Sequence, residues 1–501
     1  MLNRRSFLAT GLASGLPSLV PSAAFGEPFT LGVACGDPEP GGFVAWTRLA
    51  PQPLAEDGFG GMPAAPVPVH WQVSSDPGGR NVVRHGVQVA YRAWAHSVHA
   101  EVTGLLPGRE YWYRFKAGPY VSPAGRALTA PVPGSMPRSL RVAVCSCANY
   151  QHGHFTAYAR MARERPDLIV HLGDYIYEQG SDHVALPGGN VRAHEGPEAV
   201  TLAQYRRRHA LYKTDPDLRE AHAAAPWTAI LDDHEVLNNW TNLIPPQRRE
   251  AAFRAYYEHM PLRSPARPGS TAVQLFRRLR WGRLATLHML DTRQYRDPHL
   301  CGAGYSSCPA PADPARTMIG LDQENWLLRG FRRSRARWEL VGQQVFFGQR
   351  DRDPGEDRLV RQDAWDGYTG SRQRISEGWV TAGVRNVVVL TGDVHAHWAG
   401  DLVLDYDDPG ARPVGAELAV TSIASGGDGR DDDPATDPLL AANPHLKFHL
   451  RRRGYLMVVV TPGALTADFM TVPYVSTPGA AALTAATFTL SDLVDGLRRQ
   501  A

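Results

Sequence analysis

With 501 residues the chain has room for about two to four domains, and its 43% hydrophobic content is ordinary for a protein with a sizeable core. The formal charge of +3 rests almost wholly on arginine, since Lys116, Lys213 and Lys447 are the only lysines. That charge is too small to predict specific nucleic-acid binding, and no run beyond the N-terminus is long and apolar enough to span a membrane.

The chain opens on "MLNRRSFL", followed by the apolar stretch "LATGLASGLPSLV" and the small-residue region "PSAAFG". Charged, apolar, cleavable is the layout of a signal peptide, placed over residues 1–26 with cleavage near Gly26 or after Ala24. The pair Arg4-Arg5 points to the twin-arginine export machinery as a partner, and so to a periplasmic or extracellular protein.

From Phe29 to Gly118 short alternating segments such as "FVAWTRL", "VHWQVSS" and "EYWYRFKAG" are spaced by turn signals. That pattern predicts a β-sandwich over residues 27–128, and "VTGLLPGREYWYRFKA" resembles the late strands of a fibronectin type III module. The Pro-rich stretch "ALTAPVPGSMPRS" at Ala127–Ser139 marks the boundary. Over residues 139–478 apolar strand-like runs alternate with helical stretches, the grammar of an α/β domain. The end, residues 479–501 with "AALTAATFTLSDLVDGLRRQ", reads as a C-terminal helix, and it would gate access if Leu493–Arg499 covered the site.

Five cysteines are present. Cys301 and Cys308 bracket "GAGYSS" in a Pro/Gly-rich loop, which predicts a local disulfide after export. Cys145 reads as a small buried hydrophobe, since a Cys145–Cys147 disulfide would be strained at that spacing.

Most apolar runs of the α/β domain end in Asp, Asn, His or Cys, where such folds build sites. The candidates are Cys147, then Asp174 and Tyr177 in "GDYIYE", then Asp232, Asp233 and His234 in "LDDHEVLNN", then Asp393, His395 and His397 in "LTGDVHAHW". Phosphate-ester cleavage needs hydroxide beside a shielded anion, and two cations a few ångströms apart supply both. A carboxylate such as Asp174 can bridge them. Thiolate, phenolate and imidazole (Cys147, Tyr177, His395) suit Fe(III), whereas Asp233 and Asp393 suit a hard divalent ion: Ca, Mg or Mn. On a strand, Asp393 and His395 would point to one face, as would Cys145 and Cys147.

Eight segments in order, "SCANYQHGHFTAY", "VHLGDYIYE", "LDDHEVLNNW", "LDTRQYR", "DAWDGY", "LTGDVHAHW", "TSIASGGDG" and "VPYVSTPGA", resemble the PhoD family of secreted alkaline phosphatases and phosphodiesterases. The resemblance implies a metallophosphoesterase-type β-sandwich flanked by helices (four layers, α/β/β/α) behind a fibronectin- or immunoglobulin-like domain. It also implies kinship with purple acid phosphatases and attack by metal-bound hydroxide on a small-molecule phosphate monoester or diester, at a dinuclear or trinuclear centre of Fe(III) and Ca(II). Carried over, Asp174 bridges, Cys147, Tyr177 and His395 hold iron, and Asp233 and Asp393 hold calcium. Mg(II) or Mn(II) is the alternative at the second site.

His234 is the candidate for protonating the leaving group or contacting phosphate. Asn238 and Asn239 are candidates for completing the calcium sites. Arg293 and Arg296 are candidates for gripping phosphate, against salt bridges to Asp291 or Asp297 as the alternative. Gln343 or Gln344 could approach the second metal or serve the fold. His152, His154, His397 and Trp398 read as pocket wall, and Glu178 as a salt-bridge partner. Two other readings compete: an extracellular binding protein with a degenerate catalytic domain, and a purple-acid-type enzyme with two transition metals.

Overall fold

The computed structural model describes residues 25–500, apart from 184–185, 242, 270–271, 308–312, 354, 356–357 and 385. All of the expected signal peptide except Phe25 and Gly26 lies outside the described residues, as does Cys308. Cys301 is disulfide-bonded, while Cys35, Cys145 and Cys147 are free.

The N-terminal strands are β1 (Val33–Glu39), β2 (Gly42–Arg48), β3 (Val67–Ser74), β4 (Val82–Ala90), β5 (Ser97–Val102), β6 (Glu110–Ala117), β7 (Tyr120–Val121) and β8 (Gly125–Leu128). β1, β2 and β5 form one antiparallel layer, and β4, β3 and β6, with β7 and β8, form the other. In β6 the inward residues Tyr111, Tyr113, Phe115 and Ala117 alternate with outward ones, the period-two pattern that made the sandwich readable. The Tyr111 hydroxyl accepts from Leu106 N at 3.0 Å and pins the turn before its strand.

The strands of the α/β region are β9 (Leu140–Cys145), β10 (Leu168–His171), β11 (Trp227–Ala229), β12 (Arg277–Trp281), β13 (Ala285–Met289), β14 (Tyr305–Ser306), β15 (Trp338–Gln343), β16 (Val360–Arg361), β17 (Val387–Thr391), β18 (His397–Leu402), β19 (Gly415–Ala419), β20 (Gly429–Arg430), β21 (Leu446–Val460), β22 (Ala464–Val472), β23 (Leu483–Ser491) and β24 (Arg498–Arg499). β11, β10 and β9 are parallel neighbours, and β9 continues through β21 to β22, β23 and β24. A second run pairs β12, β13, β15, β17, β19 and β18, which returns to β21. The 15-residue β21 therefore belongs to both sheets.

Helices α1 (Thr156–Arg163), α2 (Leu202–Lys213), α3 (Pro216–Ala224) and α4 (Pro246–His259) contribute Tyr158, Tyr205, Leu218 and Phe253 to the largest core. Helices α5 (Leu321–Arg333) and α6 (Thr369–Thr381) contribute Phe331, Ile375 and Trp379 to another, and α7 (Thr436–Ala442) is short. Leu340 and Val388 join the first core, while their chain neighbours Val341 and Val389 join the second. Strands buried on both faces read as unbroken apolar runs, as "VVVL" does. The layers are thus α/β/β/α, and no described helix is long and apolar enough to cross a membrane.

The C-terminal segment corrects the sequence expectation. Residues 483–491 are strand, with Ala486, Phe488 and Leu490 buried at alternate positions and threonines between them. Period-two burial on a neighbouring strand outweighed the alanine content. Beyond it, Leu497 N donates to Asp401 Oδ1 at 2.7 Å, and Leu493–Gly496 line a crevice with Asn386 and Pro413. None of these residues lines the cavity described next, so the expected gate is not formed by this segment.

Candidate metal centre

Three overlapping sets of potential ligands lie at the strand ends: Cys147, Asp174 and His395; Asp174, Asp233 and His234; and Asp232, Asp233 and Asp393. Within each set the ligand atoms lie within 4.8 Å of one another. Asp174 links the first two sets and Asp233 the last two. Tyr177 joins the first: its hydroxyl donates to Asp174 Oδ2 at 2.8 Å and stands 3.2 Å from His395 Nε2.

The backbone turns sharply to converge these groups. Cys147, Asp174, Asn239, Asp393 and His395 all have φ between 50° and 60°. Left-handed backbone is costly for such residues and is concentrated at functional sites. Asp393 and His395 therefore do not lie on a strand, because β17 ends at Thr391, and Cys147 likewise follows β9. Sharp turns, not a shared strand face, aim them. Gly173 has φ +104°, and a Cβ there would stand 2.3 Å from the Asp232 Cβ. Only glycine permits that approach of the two strand ends.

Glu235 fastens them from below, accepting from the backbone N of Asp174, Tyr175 and Asp232. Arg453 braces the far side: its Nη1 donates to His395 O at 2.9 Å and Ser422 Oγ at 2.5 Å. Ser425 Oγ sits 2.8 Å from Cys147 O and 2.7 Å from the Tyr177 hydroxyl. The segment "RRRGY" at Arg451–Tyr455 and the motif "TSIASGGDG" thus hold the centre's frame.

The donor atoms fit cations. Asp233 Oδ1 and Asp232 Oδ2 are buried without a hydrogen-bond partner. Burial first, and then the Asp233 charge, pushes the Asp174 carboxyl well above its usual range, and burial followed by Asp174 does the same to the Cys147 thiol. Positive charge is what such a cluster lacks. For Asp233 burial acts upward, but Arg293 and His234 outweigh it and hold the carboxyl below its usual range.

His234 stacks on Tyr177 with ring centroids 4.1 Å apart, and its Nδ1 lies 2.7 Å from Glu178 Oε2. Burial disfavours the imidazolium, yet Glu178, then Asp233 and Asp174, hold its pKa well above normal. Glu178 also accepts from Asn238 N at 3.0 Å, and Asp233 Oδ2 accepts from Asn239 N at 2.6 Å. Asp174, Asp233, Asp393, His395, Asn238 and Asn239 all line a cavity of about 520 Å³, with His234 and Trp398 among their neighbours.

Arg293 and Arg296 are placed otherwise than the phosphate-gripping role requires. Both are fully buried and neither lines the cavity. Arg293 is clamped by Asp232 and by Asp363 at 3.0 Å, with Asp233 and Asp393 at 3.7 and 3.8 Å. Arg296 binds Asp363 at 2.8 Å and Trp240 O at 2.6 Å. Their guanidinium partners are thus not the Asp291 and Asp297 of the sequence alternative, although Asp291 Oδ1 accepts from the Arg293 backbone N at 3.0 Å. The guanidinium beside the ligands is Arg361, whose Nη2 reaches Asn239 Oδ1 at 3.5 Å. Gln343 and Gln344 are consumed by the fold, bonding Thr391 and Trp365, and Thr292 and Leu290 O, respectively. His397 is buried between Met470 O and Thr421 N, away from the cavity.

An α/β/β/α fold carrying these clustered strand-end ligands defines the chain as an enzyme of the phosphoesterase class. Residues 142–469 match the family described as PhoD-like phosphatase, and residues 14–131 match the PhoD-like phosphatase N-terminal domain. The chain belongs to the PhoD-like phosphatase family. It is 45% identical over 485 residues to alkaline phosphatase D of Bacillus subtilis (strain 168), spanning 94% of this chain and 82% of that protein. A solved structure described as "Structure of PhoD" is 44% identical with a TM-score of 0.92, covering 95% of this chain and 92% of its own.

Proposed function

We propose that this chain is an exported phosphoesterase that hydrolyses small-molecule phosphate esters at a centre of Fe(III) and Ca(II). The observation that carries the reading is the trio of overlapping ligand sets joined through Asp174 and Asp233. Asp174 would serve both cation positions; Cys147, Tyr177 and His395 would hold the iron, and Asp233 and Asp393, with Asn238 and Asn239, would hold calcium, or Mg(II) or Mn(II). Such cations acidify a coordinated water and neutralise phosphoryl oxygens.

The protein's own groups do the rest. Arg361, on the cavity wall beside Asn239, offers its guanidinium to the phosphate oxygens. His234, held through Nδ1 by Glu178 at 2.7 Å, gives a proton to the departing alcohol oxygen. Buried Arg293 sets the directions of Asp232 and Asp233 and is a positioning residue.

Metal analysis of the exported protein paired with Tyr177→Phe tests the assignment. The parent should carry iron and a visible tyrosinate-to-iron absorption. The variant should lose the band and at least about tenfold in iron affinity. An iron-free, colourless parent would overturn the iron assignment.

Glu178→Gln tests the proton donor. Without the carboxylate the His234 pKa falls, so the protonated form disappears at lower pH. The alkaline limb of the kcat profile should move to lower pH, with kcat at the parent's optimum reduced about 10–100-fold. An unmoved limb would assign the proton to another group.

A further inference from the structure

The wall of the cavity carries arginines that form no direct ion pair among the described residues. Three arginines gather around Tyr305. Arg350 Nη2 donates to the Tyr305 hydroxyl at 3.2 Å, and the Arg352 guanidinium lies 4.4 Å from the centre of the Tyr305 ring. Arg361 is the antiparallel strand partner of Tyr305 in the β14–β16 pair. All four residues line the cavity that holds the ligand sets.

None of the three arginines has a carboxylate within ion-pair distance among the described residues, whereas many other arginines of the chain do. Arg350 is the telling case, because it is only 8% exposed. Its guanidinium rests against Phe346 at 4.7 Å and Trp398 at 5.4 Å from the ring centres. The carboxylates packed nearby are already engaged. Asp366 takes Arg372 and the Arg350 backbone N, and Glu417 takes Thr391 Oγ1 and the backbone N of Phe347 and Gly348. A buried guanidinium without a counter-charge is expensive, and such groups are kept when an anion arrives from outside.

Two charge functions thus share one cavity. Arg361 stands next to Asn239 at the ligand sets, in reach of the reacting phosphate. Arg350 and Arg352 meet the hydroxyl and the ring of Tyr305, and Trp398, stacked on His449 at 4.0 Å, lies against Arg350. The cavity is also lined by Arg430 and Arg451, which share the single carboxylate of Asp433 at 2.8 and 3.2 Å. A neutral alcohol leaving group uses none of this charge.

We propose that Arg350 and Arg352, with Tyr305 between them, form a second anion subsite, and that the preferred substrates are phosphate esters whose alcohol portion carries a further phosphate. This deepens the phosphoesterase reading and rests on it. Guanidinium groups suit phosphate because their forked donors match its oxygens.

The test uses metal-loaded full-length enzyme and two matched substrates, butane-1,4-diol bisphosphate and butane-1,4-diol monophosphate. Initial phosphate release gives kcat/KM for each, with the bisphosphate halved for its two equivalent ends. The parent should favour the bisphosphate at least tenfold, chiefly through KM. Arg352→Ala, at an exposed position, and Arg350→Met should each reduce that ratio at least threefold, and the double variant should bring it near one. Arg352→Lys, which keeps the charge, should retain most of the ratio. Equal parent values, or variants that lower both substrates in proportion, would overturn the subsite. Release from neither substrate would overturn the phosphoesterase reading itself, and the subsite with it. Inhibition by butane-1,4-bisphosphonate relative to butylphosphonate gives a second readout that needs no turnover. The same preference, and its loss in the variants, is expected there.

Discussion

Asp174→Asn should lower kcat/KM by at least about 10³-fold, or about 4 kcal/mol of transition-state stabilisation, and strip metal from the centre, yet leave the metal-free protein no less stable. The two halves of this expectation have one cause. Asp174 belongs to two ligand sets at once, so losing its charge weakens both cation positions together. The asparagine amide supplies one oxygen and no charge, and it cannot bridge. In the metal-free fold, however, the Asp174 carboxylate is a burden, since burial and the adjacent Asp233 push its pKa well up. A neutral isostere relieves that repulsion, while the backbone hydrogen bond from His234 N at 3.2 Å still finds an oxygen. Metal content and kcat/KM measure the first half. Thermal unfolding after chelation measures the second. A large loss of stability in the metal-free variant would mean that Asp174 serves the fold, and the bridging role would fall.

The same contrast explains what the sequence revealed. Polar residues that stop an apolar run are legible, because a buried strand has no other reason to end in Asp, Cys or His. Cys147, Asp174, Asp233 and His395 were found in that way, and the structure brings them together. The means of convergence was not legible. Left-handed backbone at Cys147, Asp393 and His395 leaves no glycine-like signature, so a strand-face argument stood in for three sharp turns. Long-range charge pairing was equally hidden. Arg293 advertises its charge but not its partners, which lie 61 and 70 residues away at Asp232 and Asp363. Glu178 read as a generic salt-bridge acid, and only its 2.7 Å contact makes it the partner of His234. At the C-terminus alanine content and alternating burial pointed to different elements. The neighbouring strand β22, which a local reading cannot see, decided for extended chain.

Asp363→Asn should destabilise the fold by about 3–5 kcal/mol, the largest structural effect of a single change around the centre. Asp363 is fully buried and is the common partner of Arg293, Arg296 and His299. Burial opposes its ionisation, but Arg293 and then Arg296 outweigh it and hold its pKa far below the carboxylate range. Removing the charge leaves two buried guanidiniums short of a counter-ion. Arg293, released on one side, would turn more fully to Asp233 and Asp393 and compete with cations there, so metal affinity should fall as well. The pH dependence has a definite sign. A carboxylate with a depressed pKa contributes its full stability above the unfolded value of about 3.9, and loses it as pH falls through the folded pKa. The parent's advantage over the variant should therefore be constant near neutrality and shrink only in strong acid. Urea unfolding from neutral pH downward tests this, and an advantage that shrank between pH 6 and 8 would contradict it. The double variant Asp363→Asn/Arg296→Met should lose less than the sum of its single changes. It removes one of the guanidiniums that the asparagine cannot neutralise, and residues sharing one charge network are not additive.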